Sequence, residues 1–154
     1  SAEPFKERGI RTVALRTGLV LSGNGGALSK LVPSFKFGLG SAIGAGTQNV
    51  AWIHMNDLCD IYIKAIEDEK MEGAYNTVAP DHVTNMEFSK AIAKVLKKPF
   101  WLPKIPGFVL KTILGEMSVI LLKGMRVSSK KIIDSGFNFS YPTLNKALIH
   151  LLNK

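Results

Sequence analysis

The sequence predicts an α/β fold, because short buried strands and an amphipathic helix alternate along its middle part. Val50–Ile53 is an apolar run typical of a strand, and a helical pattern follows it to Glu69. Gly73–Val78 then predicts another strand. Strands joined through a helix are typical of a parallel sheet, which binds its ligands at the carboxyl ends of the strands. Candidate site residues at the first strand end are Trp52, His54 and Asn56.

The central helix carries one predicted apolar face. Asp57 is expected to cap its N-terminus, since a carboxylate accepts the free backbone N–H groups of the first turn. The spacing i, i+3, i+4, i+7 and i+8 predicts a buried face formed by Leu58, Ile61, Tyr62, Ala65 and Ile66. Cys59 lies on the apolar side of this helix, which favours a packed thiol over a reactive one.

The composition is that of one globular domain. Of the 154 residues, 46% are hydrophobic and 21% are charged, which is sufficient for a buried core. A single cysteine excludes an intrachain disulfide and a multi-cysteine metal site. The net charge of +8 favours anionic ligands such as nucleotides. The lysines are dispersed and no nucleic-acid-binding motif occurs, so nucleic acid is not a predicted partner. A membrane span is not predicted either, since no apolar run reaches about 18 residues.

The N-terminal part predicts a strand whose neighbours are not obvious. Ile10–Arg16 has the pattern of a buried strand, but no hairpin partner precedes it. Unpaired backbone groups are costly when buried, so either later strands flank it or the chain is a piece of a longer protein. The second interpretation is favoured. Thr17–Gly26 then predicts a strand that runs into a glycine-rich loop. A helix pattern starts at Ala27 and is expected to kink, or to lose its regular hydrogen bonding, at Pro33.

The C-terminal part is predicted to be mostly helical. Thr84–Glu87 is a capping box that opens a helix through Leu96. Residues 108–122 are strongly apolar and predict two short helices. Gly136 is suited to a left-handed C-terminal turn. The remaining predicted helices run from Ser128 or Ser129 to Gly136 and from Thr143 to Leu152.

The residues required for a complete active site are not found in the sequence. Gly40–Gly46 has a GxxxGxG spacing, but a helix pattern precedes it and a strand follows, so a flexible loop is predicted instead of a phosphate-binding turn. A reductase tyrosine usually has a lysine four residues later, which lowers the pKa of the phenol. Tyr62, Tyr75 and Tyr141 are followed at that position by Ile66, Ala79 and Asn145. The three histidines are too scattered to predict a metal site.

Short motifs along the whole chain resemble one protein family. In order they are Arg16-Thr-Gly-Leu-Val-Leu, Gly25-Gly-Ala-Leu, Phe37-Gly-Leu-Gly, Ala51-Trp-Ile-His, Gly73-Ala-Tyr-Asn and Val83-Thr-Asn. These motifs resemble the C-terminal half of the nucleoside-diphosphate-sugar epimerase-like branch of the short-chain dehydrogenase/reductase superfamily. Four later motifs resemble its small C-terminal domain of unassigned function: Leu114-Gly-Glu, Gly124-Met-Arg-Val, Ser135-Gly-Phe and Tyr141-Pro-Thr-Leu.

The resemblance implies the C-terminal portion of an NAD(P)-binding Rossmann-like fold with a small, mostly helical, substrate-side subdomain. By this comparison, residues 1–82 belong to the cofactor-binding domain and residues 83–154 form the C-terminal domain. The family binds NAD or NADP through a glycine fingerprint and uses a Tyr/Lys pair. Both precede the strand that begins at Ile10, so the resemblance implies that this chain is inactive alone.

The resemblance also implies roles for individual residues. Those expected beside the nicotinamide are Gly18, Leu19 and Val20, although simple strand packing is the alternative. Those expected at the substrate are Trp52, His54 and Arg126, where the guanidinium would bond a diphosphate. The alternatives are a core tryptophan and a surface arginine. Ser41 and Met125 depart from the family, which is expected to have glycine and glutamine there. No catalytic residue and no metal ligand is assigned.

Three functions fit these observations. The first is the substrate-side half of an NAD(P)-dependent epimerase, dehydratase or reductase acting on a nucleotide sugar or a small carbonyl compound. The second is a nucleotide-binding regulatory protein of the same fold without turnover. The third is a peripheral membrane module, because the apolar segment Phe100–Leu122, with Lys104, Lys111 and Lys123, suits a membrane interface. A cytoplasmic location is expected, as is self-association through an exposed strand edge or apolar helices.

Overall fold

A computed structural model describes residues 8–103, 124 and 126–153 and confirms the predicted α/β class. The strands are β1 (Val13–Thr17), β2 (Leu19–Leu21), β3 (Asn49–Val50), β4 (Trp52–His54), β5 (Gly73–Thr77) and β6 (Val83–Thr84). The helices are α1 (Gly26–Lys36), α2 (Met55–Glu67), α3 (Asn85–Val95), α4 (Lys130–Asp134) and α5 (Leu144–Leu152).

Two parallel strand pairs form the centre of the described fold. β1 pairs with β5 from Val13 opposite Gly73 to Thr17 opposite Thr77. β2 pairs with β4 in the same sense, and the short strands β3 and β6 pair antiparallel. Helix α2 connects β4 to β5, so the predicted strand–helix–strand unit is present. A later strand therefore flanks β1 on one side, as the first of the two interpretations of this strand requires.

The β2–β4 pair separates two apolar cores, because successive side chains of a strand point to opposite faces. Trp52 belongs to one core and Ile53 to the other. The first core is covered by α1, α3 and α5 and includes Leu21, Leu28, Trp52, Phe88 and Leu148. The second is covered by α2 and α4 and includes Ile53, Ile61, Met71, Tyr75 and Ile132. Each of these large side chains contributes roughly 1.5–3 kcal/mol when it is fully buried.

Most predicted helix signals are found where the sequence placed them. Thr84 and Glu87 form the expected capping box, in which each side chain accepts the other residue's backbone N–H. Gly136 has the expected positive φ of 82°. Helix α1 continues through Pro33 to Lys36, so it does not end at this proline, and the predicted kink stays a prediction. The two helices predicted in 108–122 lie outside the described residues. Among the residues that are described, no helix is long and apolar enough to cross a membrane.

Helix α2 buries only part of its apolar surface. Leu58, Ile61 and Ala65 are buried against the sheet, as predicted. Tyr62 is half exposed and Ile66 is 74% exposed, so their predicted burial is wrong. The prediction of a packed Cys59 thiol is also wrong, since this residue is exposed. Apolar residues occupy more than one side of this helix, and the strands beneath it contact a single side.

The C-terminal end of α2 is held by Arg11. Its guanidinium donates to the carbonyl oxygens of Ala65 at 2.9 Å, Ile66 at 3.2 Å and Met71 at 3.2 Å. The last carbonyls of a helix have no partner within the helix and carry a partial negative charge. A cation from the segment before β1 therefore stabilises the end of α2 and ties it to the sheet.

Replacing Arg11 with alanine should lower the free energy of unfolding by about 1.5–3 kcal/mol, the range for hydrogen bonds to a charged group. Urea denaturation followed by circular dichroism would measure this change. Arg16→Ala is the matched control, because Arg16 is an exposed arginine in the neighbouring strand. Equal effects of the two substitutions would contradict the capping role.

Candidate functional site

The chain changes its pairing partner at Gly18, between β1 and β2. The backbone N–H of Gly18 donates to Thr77 O of β5 at 3.5 Å, and that of Leu19 donates to Ala51 O, next to β4, at 2.7 Å. A Cβ on Gly18 would lie only 2.6 Å from Ala51 O, so the close approach requires glycine here. This crossing lies at the carboxyl ends of the parallel strands β1 and β5, the place where such sheets bind ligands.

The predicted cofactor residues Gly18, Leu19 and Val20 occupy this crossing. Leu19 is buried in the first core, whereas Val20 is partly buried and packs against the second core. Since the N–H groups of Gly18 and Leu19 are already used, a ligand at this position would meet apolar surface and carbonyl oxygens. Their role beside a nicotinamide stays a prediction.

Trp52 and His54, predicted to line a substrate cleft, are both buried inside the described part of the protein. The indole Nε1 of Trp52 donates to Asp81 O at 3.0 Å, which fixes the ring in the first core. His54 ends β4 and packs its ring against Tyr141, with ring centroids 3.8 Å apart. The structure thus shows a packing role for both residues, and their contact with a substrate stays a prediction.

His54, not Asp57, is the N-cap of α2, so the predicted cap is wrong. The His54 Nδ1 accepts the backbone N–H of Asn56 at 3.0 Å. His54 therefore carries its proton on Nε2, which lies 3.1 Å from Nδ1 of His150. His54 then donates to His150. Burial, followed by the charge of His150, lowers the pKa of His54 from 6.5 to about 4.

Asp57 lies in the first turn of α2, is fully buried, and binds a distant part of the chain. Its Oδ1 accepts the backbone N–H of Ser140 at 2.8 Å, and its Oδ2 accepts that of Tyr141 at 3.0 Å. Burial raises the pKa of this carboxyl, although the two N–H donors act in the opposite direction. No local pattern reveals these partners, because they follow Asp57 by 83 and 84 residues.

A second carboxylate holds the same C-terminal segment. Asp81 Oδ2 accepts the backbone N–H of Leu144, the first residue of α5, at 2.8 Å. The side chain of Thr143, predicted to cap this helix, makes no capping hydrogen bond. Asp81 thus caps α5 in place of Thr143, from a position 63 residues before Leu144. We call the contacts of Asp57, His54 and Asp81 with residues 140–150 the C-terminal latch.

The loop between α1 and β3 contains a small polar cluster. Asn85 Oδ1 accepts the N–H of Ile43 at 2.7 Å, and Gln48 Nε2 donates to Ile43 O at 2.8 Å. The second atoms of both amides, Asn85 Nδ2 and Gln48 Oε1, are buried without a partner among the described residues. Together they offer one donor and one acceptor.

Gly40, in the GxxxGxG segment, packs on Phe35, whose ring a Cβ would overlap at 2.2 Å. Packing therefore accounts for this glycine.

Arg126 is exposed and follows a glycine in tight contact with this loop. A Cβ on Gly124 would lie 2.7 Å from the Cβ of Gln48 and 2.9 Å from the backbone nitrogen of Asn49. The close packing of Gly124 brings the backbone before Arg126 to the start of β3. Whether the guanidinium binds a diphosphate stays a prediction.

Several known proteins are similar to this chain in sequence. Residues 105–151 match the family described as Domain of unknown function (DUF1731). Epimerase family protein YfhF of Bacillus subtilis is 43% identical over 144 residues, which cover 94% of this chain and 47% of the relative. Over nearly its whole length, this chain is similar to the C-terminal half of these epimerase family proteins.

Solved structures agree with this assignment. The human epimerase family protein SDR39U1, solved with NADPH, is 34% identical with a TM-score of 0.86 and matches 94% of this chain. Only 49% of the human chain is covered, so the present chain spans about half the length of the relatives it matches. The UDP-glucose 4-epimerase of Thermus thermophilus, solved with NAD, has a TM-score of 0.67 at 17% identity and supports the Rossmann-type fold alone.

Replacing Asp57 with asparagine should lower the free energy of unfolding by about 1–3 kcal/mol. An amide has only one acceptor oxygen, so its NH₂ group would face the N–H of Ser140 or Tyr141. Urea denaturation measures the loss, and hydrogen exchange should show faster exchange at those two amides. Asp60→Asn, an exposed acid on the same helix, is the control. Unchanged exchange at residues 140 and 141 would contradict the latch.

The stability should fall as the pH is lowered from 6.5 to about 4. His54 has a folded pKa of about 4 and an unfolded value near 6.5, so the unfolded chain binds the proton first in this window. The loss from this residue amounts to about 3 kcal/mol. The raised pKa of Asp57 acts in the opposite direction as its carboxyl takes up a proton.

The variant His54→Asn should flatten this pH dependence, because asparagine still caps a helix but does not titrate. Urea denaturation at several pH values would measure it, with His82→Asn, an exposed histidine, as the control. A pH profile that is the same with and without His54 would contradict the assignment.

Proposed function

We propose that this chain forms the substrate-side part of an NAD(P)-dependent enzyme of the epimerase family. The observation that carries the proposal is the match to the NADPH-bound human relative over nearly the whole chain. The reaction would transfer hydride to or from a nucleotide sugar or a small carbonyl compound. Within the 154 residues there is no Tyr-x-x-x-Lys pair, so the chain by itself is proposed to be inactive.

The proposed cofactor position is the crossing at Gly18. The nicotinamide of NAD or NADP would lie against the backbone of Gly18 and Leu19 and the apolar side chain of Val20, at the carboxyl ends of β1 and β5. These residues would hold and orient the ring and exclude water from one side. The cofactor supplies the hydride chemistry when it is bound.

The proposed substrate position is the loop that carries the polar cluster, close to Gly124 and Arg126. The exposed guanidinium of Arg126 suits a diphosphate, because its planar fork bonds two oxygens at once. The side-chain atoms of Gln48 and Asn85 that have no partner among the described residues suit a ligand group that presents one donor and one acceptor. Trp52 and His54 would support this region from the core.

We also propose that the chain associates with itself. The faces and edges of β1 are incompletely covered among the described residues, since its side chains are only half buried or exposed. Parallel strands are normally covered on both faces. Apolar surface left open in this way favours association.

A chimera tests the proposed site: the N-terminal half of the Bacillus subtilis relative followed by residues 1–154. NADPH fluorescence titration should show binding by the folded chimera. In the same chimera, Arg126→Ala should weaken binding of a nucleoside diphosphate sugar by about 1.5–3 kcal/mol in a calorimetric titration.

Lys94→Ala, an exposed cation at the end of α3, should leave the affinity unchanged and controls for net charge. If the affinity is unchanged when Arg126 is replaced, this residue is a surface arginine that does not bind the substrate. Absence of NADPH binding by a folded chimera would argue against the cofactor position.

A further inference from the structure

We infer that protonation of His150 breaks its contact with His54 and thereby loosens the C-terminal latch. The end of β4 is then covered near neutral pH and becomes accessible in acid. This control does not depend on the proposed cofactor and substrate positions.

The backbone fixes the direction of the hydrogen bonds through the two rings. The N–H of Asn56 can only donate, so Nδ1 of His54 accepts it, at 3.0 Å. A neutral imidazole carries a single proton, which must then lie on Nε2 of His54. This Nε2 is 3.1 Å from Nδ1 of His150, so the acceptor in that contact is His150. The chain of hydrogen bonds from Asn56 through His54 to His150 therefore runs in one direction only.

A proton added to His150 interrupts this chain. Both nitrogens of an imidazolium are donors, so Nδ1–H of His150 would face Nε2–H of His54. Moving the proton of His54 to its Nδ1 gives no relief, because that N–H would then face the N–H of Asn56. Either arrangement opposes two donors. The closed contact loses its hydrogen bond on protonation and the open contact has none to lose, so acid favours the open state.

The two rings differ in their access to water. His54 is 1% exposed, and burial together with the charge of His150 lowers its pKa to about 4. His150 is exposed on α5, so a proton from water reaches it directly. Above about pH 5 the buried ring therefore stays neutral, and the exposed ring decides whether the contact holds.

The charged groups around the pair do not hold a protonated His150 in place. Asp57, in the first turn of α2, and Asp81, before β6, already accept backbone N–H groups of residues 140–144. Neither carboxylate is a hydrogen-bond partner of His150 in the described part of the chain. Lys146 lies one turn before His150 on α5, and like charges four residues apart on a helix repel each other.

The contact matters because it covers the end of β4. Tyr141 packs against both rings, with its centroid 3.8 Å from that of His54 and 4.8 Å from that of His150. When a charged His150 turns towards water, Tyr141 loses one of these two neighbours. The carboxyl ends of parallel strands are where such sheets bind ligands. Protonation thus loosens the segment that closes one of these ends.

Hydrogen exchange tests the opening in the 154-residue chain, at roughly one pH unit above and below the ordinary histidine pKa. Each rate is divided by the rate of an unstructured chain at the same pH. On acidification, the protection of α5 and of the Tyr141 N–H should fall about threefold or more, the effect of losing one hydrogen bond. Protection that is equal at the two pH values would overturn the inference.

His150→Asn assigns the response to this residue, because asparagine offers an acceptor oxygen near the position of Nδ1 and does not titrate. Its protection should be the same at both pH values. His82→Asn, at an exposed histidine outside the latch, should keep the full response. Circular dichroism checks that both variants are folded. A response that persists in His150→Asn would belong to another group, such as Asp57, and would also overturn the inference.

The nitrogen chemical shifts of the histidine rings give a second readout that needs no variant. At the higher pH, His54 should carry its proton on Nε2 and His150 should have an unprotonated Nδ1. The Nε2–H signal of His54 should shift as His150 takes up its proton. A His54 protonated on Nδ1 at the higher pH would contradict the direction of the hydrogen bonds and the inference with it.

Discussion

The arrangement of the described fold depends on the buried carboxylate of Asp57. A charge without exposure to water is stable only when donors satisfy it, and Asp57 has two, the N–H groups of Ser140 and Tyr141. The carboxylate thereby fixes a loop that is remote in sequence onto the first turn of α2. His54 and Asp81 add contacts to the same segment, at His150 and at Leu144. These polar interactions therefore hold residues 140–150 in position, and Leu148 of this segment packs in the first apolar core.

This latch decides which strand ends are open. The end of β4 carries His54, and Tyr141 stacks directly on that ring. The C-terminal segment consequently fills the position where a parallel strand would otherwise meet a ligand. The ends of β1 and β5 converge instead at Gly18, where the chain passes from one strand partner to the other. The proposed cofactor position at Gly18 and the closed β4 end both follow from the same topology.

The sequence predicted the parts of the fold that are encoded locally. The capping box at Thr84, the left-handed Gly136 and the strand–helix–strand unit were all predicted from nearby residues, and the structure confirms them. The burial of Tyr62 was predicted wrongly, because periodicity shows that a face is apolar but not what covers it. The partners of Asp57 could not be predicted at all, since nothing within one helical turn distinguishes a capping aspartate from one that binds residue 140. The motifs suggested a resemblance to one family, and the comparisons confirm that resemblance.

Helix α2 has two apolar faces, and the described residues bury only one of them. A helix that covers one strand pair needs a single apolar face, but α2 has two, and the second lies beside the partly buried face of β1. Relatives of this chain are about twice as long and have additional residues to place over such a surface. The latch holds residues 140–150 in place, and the second face of α2 presents apolar surface that the described residues leave exposed.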